Sequence, residues 1–113
     1  MKEFIMLFRA DYSKIPKDSP EEMQAMNKKW MDWIGGIEAQ NISFERGKRL
    51  TPNGKIVRAN GVITDGPYAE IKETVNGHAT VKVESIEDAV KIAKVCPILT
   101  VGGNVEIREI DLL

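Results

Sequence analysis

Only one cysteine, Cys96, and one histidine, His78, occur in the 113-residue chain. A single cysteine excludes an intrachain disulfide framework, and the two residues together are too few to build a structural zinc site from one copy. Long apolar runs are missing as well, so no segment approaches the roughly 20 residues of a membrane-spanning helix. The 16 basic and 17 acidic residues are mixed along the chain and sum to a net charge of -1, so no basic stripe marks a nucleic-acid binder. There is no Gly-rich phosphate loop, nucleophile elbow or metal-ligand spacing. Met1 to Ile5 reads as the start of a strand, without an apolar signal segment and its small-residue cleavage site. These absences predict a reduced, cytoplasmic protein that uses no cofactor and has no nucleic-acid or membrane partner.

What remains is ordinary globular material. Hydrophobic residues at 42% and charged residues at 29% suffice for one core and argue against disorder, which predicts one domain over residues 1–113. Phe4 to Phe8 reads as a strand apolar on both faces, with Phe4, Met6 and Phe8 on one and Ile5 and Leu7 on the other. Ser19-Pro20-Glu21-Glu22 starts a helix, with Ser19 as N-cap, Pro20 at the first helical position and Glu22 completing a capping box. Met23, Met26, Trp30, Trp33, Ile34 and Ile37 follow on one stripe, to an end near Asn41. Gly35-Gly36 reads as a weak spot or a point of close approach.

Ile42 to Leu50 is a second strand. Asn53-Gly54 and Asn60-Gly61 are hairpin turn dipeptides that bracket a short strand, Lys55 to Ala59, and lead to another at Val62 to Thr64. Asp65 to Glu73 reads as a loop. Val75 to Glu84 alternates, with Ala79, Val81 and Val83 on one face and Asn76, His78 and Thr80 on the other. Ser85 caps a second helix that Pro97 ends, and Asn104 to Ile110 closes the chain as a strand. The order β-α-β, hairpin, β-α-β predicts an α+β, ferredoxin-like fold with two helices on one face of an antiparallel sheet. Those helices cover one face only. The apolar second face of the first strand therefore predicts a homodimer packed sheet to sheet.

The run Asp65-Gly66-Pro67-Tyr68-Ala69-Glu70-Ile71-Lys72-Glu73 resembles the signature of YCII-related proteins of the DGPF type, which typically reads Asp-Gly-Pro-Phe-Ala-Glu-Thr-Lys-Glu. The resemblance extends to Ser19 to Met23, Gly77, Cys96-Pro97 and Val105 to Arg108. It implies a protomer of the dimeric α/β barrel type, with a cleft between sheet and helices or between protomers. Three departures stand out. Tyr68 replaces the usual Phe, and Asn76-Gly77-His78 stands where Gly-Gly followed by Phe or Tyr is common. The first helix also lacks the His that the acid/base members of the wider group carry.

The candidate chemistry lies with few residues. Asp65 is either a carboxylate tied into its own turn or a general base at a cleft mouth. His78 supplies any imidazole chemistry, or is a half-exposed strand histidine; the catalytic reading expects a carboxylate such as Glu106 beside it. Tyr68, Lys72 and Arg108 are ligand-orienting candidates, against a solvated loop and an outward ion-pair partner. Trp30 and Trp33 read as core, and Cys96 as a buried thiol at a helix end. Two functions compete: a cofactor-free enzyme performing proton transfer or elimination on a small organic molecule with Asp65 and His78, and a dimeric module that binds a ligand or regulates a partner without turnover.

Overall fold

The computed structural model describes residues 1–66 and 74–112. Strand β1 (Lys2–Arg9) buries Phe4, Met6 and Phe8 and leaves Ile5 and Leu7 half-buried on its other face, as its two apolar faces require. Helix α1 (Pro20–Ala39) starts where the capping signal places it, and Ser19 Oγ accepts the Glu22 N–H at 3.3 Å. Asn41, just past the end, has a left-handed φ of 61°, which Asn tolerates because its short polar side chain can bond locally. Gly35 and Gly36 are both solvent-exposed within the helix, and a Cβ built on either meets nothing within 4 Å. The expected close approach is therefore absent. Burial of Trp33, Ile34 and Ile37 carries the helix through two residues that each cost about 1 kcal/mol in propensity.

Strands β2 (Ser43–Arg49), β3 (Gly54–Val57), β4 (Ile63–Gly66) and β5 (Val75–Val83) precede helix α2 (Ile86–Ala93), and β6 (Asn104–Glu109) ends the fold. One expectation needs correcting here. Asp65 and Gly66 are not loop but the end of β4, paired with Lys55 and Gly54 of β3. The tight turn at Asn60-Gly61, with Gly61 at φ 84°, fixes a register that sets Lys55 opposite Asp65. The rest of the motif, including Tyr68, Glu70, Lys72 and Glu73, lies outside the described residues.

Four strands form one antiparallel sheet in the order β2-β5-β1-β6, while β3 and β4 pair as a separate hairpin. That order, with a β-α-β unit on each side of the hairpin, is the ferredoxin-like arrangement. Phe4, Met6 and Val81 are almost wholly buried between the sheet and the helices, joined by Trp33, Ile37, Ala89 and Ala93. Each such side chain contributes about 1.5–3 kcal/mol when taken out of water. Trp33 meets Phe8, Trp30 and Phe44 edge to face at centroid distances of 6.0, 5.6 and 5.5 Å, and its indole N–H donates to the Ile92 carbonyl at 3.0 Å. These contacts fasten α1 to β1, β2 and α2. Among the described residues, no helix is long and apolar enough to cross a membrane.

Candidate functional site

At one end of the sheet the ladders lose their regularity twice. On β2, Arg46 pairs with Ala79 and Arg49 with Gly77, so Gly47 and Lys48 together face the single residue His78. On β5, Phe8 faces Gly77 and Arg9 faces Val75, which leaves Asn76 as the extra residue. Bulges of this kind break strict alternation and re-aim side chains. The first one seats the imidazole. A Cβ built on Gly47 falls 2.2 Å from His78 Nδ1 and 2.3 Å from the His78 carbonyl oxygen, so only glycine fits there. The Lys48 N–H donates to His78 Nε2 at 3.3 Å, which requires a lone pair on Nε2 and assigns the proton of the neutral ring to Nδ1. Nδ1 has no partner among the described residues.

Beside these bulges a cleft of about 440 Å³ opens between α1 and the sheet. Its walls are apolar: Met23, Met26, Trp30 and Ile34 from α1, Phe8 and Phe44 from the sheet, and Ile15 and Leu50 from the flanking loops. The α1 stripe explains why. Its later part, Trp33, Ile34 and Ile37, is core, while Met26 and Trp30 nearer its start are only half-buried. Four cationic residues, Lys17, Arg46, Lys48 and Arg49, also line the cleft, all of them solvent-exposed. No Asp or Glu among the described residues does. The Tyr12 hydroxyl donates to the Leu50 carbonyl and so ties the loop after β1 to the end of β2, and burial raises the phenol pKa above its ordinary value. No group of three His, Cys, Asp or Glu side chains among the described residues could hold a metal ion.

The expected site residues do not all meet. His78 lines the cleft. Asp65 does not: its side chain is 90% exposed on the separate hairpin, where Lys55 Nζ holds Oδ1 at 2.6 Å. Arg108 is exposed on β6 opposite Ile5, on the sheet face turned from the helices. Glu106 does share a cross-strand row with His78, but Leu7 stands between them. Two strand spacings separate the pair by roughly 9–10 Å. Arg9 takes the Glu106 carboxylate instead, at 2.8 Å from Nη2 and 3.2 Å from Nε. The expected His78–carboxylate contact is thus not formed. Residues that line the cleft without having been marked by their sequence are Asn76, Arg46, Arg49 and Tyr12. For Asn76 there was one signal, the Asn76-Gly77-His78 triplet in place of the commoner Gly-Gly and aromatic.

Fold and cleft together define a ferredoxin-like α+β protein with a small-molecule-sized site between its first helix and one end of its sheet. The chain belongs to the family of the YCII-related domain, whose model matches residues 6–111. No curated protein matches the chain.

Proposed function

We propose that the chain binds a small apolar organic anion in the cleft beside His78. The supporting observation is the combination of an apolar interior with four lining cations and no lining carboxylate among the described residues. An apolar body leaves water against Trp30, Phe8 and Phe44, and a carboxylate meets Arg46 or Arg49, whose planar guanidinium suits it. Calorimetric titration with 2-naphthoate tests this, with 2-naphthylmethanol as its neutral counterpart. The acid should bind more tightly, and Arg46→Gln with Arg49→Gln should weaken it about tenfold while sparing the alcohol. No binding of either compound, or equal binding of both, would overturn the reading.

A catalytic reading rests on a second observation: His78 lines the cleft, and its Nδ1 has no partner among the described residues. In it His78 exchanges a proton with the bound molecule in a cofactor-free transfer or elimination, with Asp65 as the second acid/base group and Tyr68, Lys72 and Arg108 orienting the ligand. It requires Asp65 to leave Lys55. His78→Gln should then abolish turnover yet keep 2-naphthoate binding.

We also read the chain as a DGPF-type member, from the run at Asp65 to Glu73, and as a cytoplasmic homodimer. Ile5 and Leu7 lie half-buried at the centre of the outer sheet face, rimmed by the Arg9–Glu106 and Lys82–Glu3 pairs. An apolar centre within a polar rim is the anatomy of an interface. Light scattering at micromolar concentration should give twice the chain mass, and Leu7→Lys should halve it. A monomeric parent protein would remove the dimer.

A further inference from the structure

The slip in the β2–β5 ladder does more than seat His78. In a regular strand, residues three apart face opposite sides of the sheet. Arg46 and Arg49 are three apart, yet they pair with Ala79 and Gly77, which stand two apart on β5 and so share a face. The extra residue at Gly47-Lys48 thus brings both arginines to one side, the helix-facing side where Phe8 and Ala79 are buried. Both of them line the cleft. Four residues of β2 now span the length of three on β5, so the two Cα atoms stand roughly 7 Å apart instead of the roughly 10 Å of an unbroken strand. The kink is held by its own contacts. A Cβ on Gly47 would meet the His78 ring and carbonyl, the Lys48 N–H donates to His78 Nε2, and the Leu50 N–H donates to the Asn76 carbonyl at 2.8 Å just beyond Arg49.

We propose that Arg46 and Arg49 close together on one dianionic head, a phosphate monoester carried on an apolar body. This rests on the reading that the cleft binds a small organic anion, and it names the head of that anion. Two guanidiniums rooted this close on one side repel each other, and a single group with two negative charges relieves that repulsion best. A carboxylate has one charge and two oxygens, which suits one planar fork. A phosphate monoester carries close to two charges above neutral pH and has three terminal oxygens, so it can serve both forks. Lys17 and Lys48, also at the cleft, add to the same positive field. Trp30, Phe8 and Phe44 take the apolar body.

The test compares 2-naphthyl phosphate with methyl 2-naphthyl phosphate, which keeps the ring and the phosphorus but carries one charge, by calorimetric titration of the full chain at about pH 8 and fixed ionic strength. The parent protein should favour the monoester by roughly tenfold to a hundredfold. Because both forks hold one group, Arg46→Gln or Arg49→Gln alone should remove most of that preference, and the two together should remove little more. Lys91→Gln, exposed on α2 and away from the cleft, changes the net charge equally and should leave the preference as it is. Arg46 and Arg49 are exposed, so the variants should melt near the parent temperature. Arg46→Lys, which keeps the charge and loses the fork, should still lose part of the preference and serves if a glutamine variant does not fold. Equal binding of the two phosphates by the parent, or single losses that simply multiply in the double variant, would overturn the assignment. With 2-naphthoate still bound, the ligand cleft itself would stand. If none of the naphthalene probes binds, both readings fall together.

Discussion

The two ends of the four-stranded sheet are built differently. Around Phe4, Met6, Val81 and Val83 the ladders run in unbroken register and these four side chains are buried in the core. Around Phe8, Gly47, Asn76 and His78 the β1–β5 and β2–β5 pairings each slip by a residue, a glycine replaces a side chain, and a carboxamide has no partner among the described residues. A sheet made only for stability has no reason to differ from end to end. The regular end secures the fold, and the irregular end trades packing for an apolar cleft flanked by cations.

Substitutions that probe each end can sharpen or break this contrast. Phe4→Ala should have the largest effect, a loss of about 3–5 kcal/mol in urea unfolding, because its site is sealed on all sides. Phe8→Ala opens into the existing cleft and should cost about 1–2 kcal/mol less, since less new enclosed volume results. Equal losses would mean that both ends are packed alike. Gly47→Ala comes next, at about 1–3 kcal/mol, because its methyl meets the His78 ring and carbonyl. His78→Ala in the same chain should restore only part of that loss, as the carbonyl contact remains. Glu106→Gln should cost at most about 1 kcal/mol and leave 2-naphthoate affinity unchanged, since its carboxylate serves Arg9 on the other face.

The smallest effect at neutral pH belongs to Cys96. Burial pushes its thiol from the ordinary 9.0 up to about 12, so the fold favours the protonated form. The resulting stability is fully present below pH 9 and is lost as pH rises towards 12, because the unfolded thiol ionises first. Denaturation midpoints should accordingly fall across that alkaline range, and more steeply than in Cys96→Ala. A thiol that reacts with a disulfide reagent in the native state at neutral pH would contradict its burial.

Features written locally were legible from the residues alone. Ser19-Pro20 and Glu22 marked the start of α1, the alternation from Val75 to Val83 marked a half-buried strand, and Asn60-Gly61 marked a hairpin turn. The order of elements then led to the sheet topology. The cleft was not legible, because it depends on how strands far apart in the chain are registered. Nothing in Ser43 to Arg49 alone shows that Gly47 and Lys48 will share a single opposing residue. Asp65 was misplaced for a related reason. A Gly-Pro after an Asp suggests a turn, but a cross-strand lysine ten residues earlier extends β4 through it. Arg46 and Arg49 look like any solvated charges until the fold sets an apolar hollow beside them.

The bulge that seats His78 has a further consequence for life at high concentration. Strand β2 is an outer strand of the sheet, seven residues long, with one side not paired in the sheet. A flat, regular strand in that position would be a template for another chain to add to, and so a seed for aggregation. The kink at Gly47-Lys48, with charges at Glu45, Arg46, Lys48 and Arg49 around it, spoils that template. Straightening β2 to improve its pairing would thus be expected to lower the protein's solubility even where it raised its melting temperature.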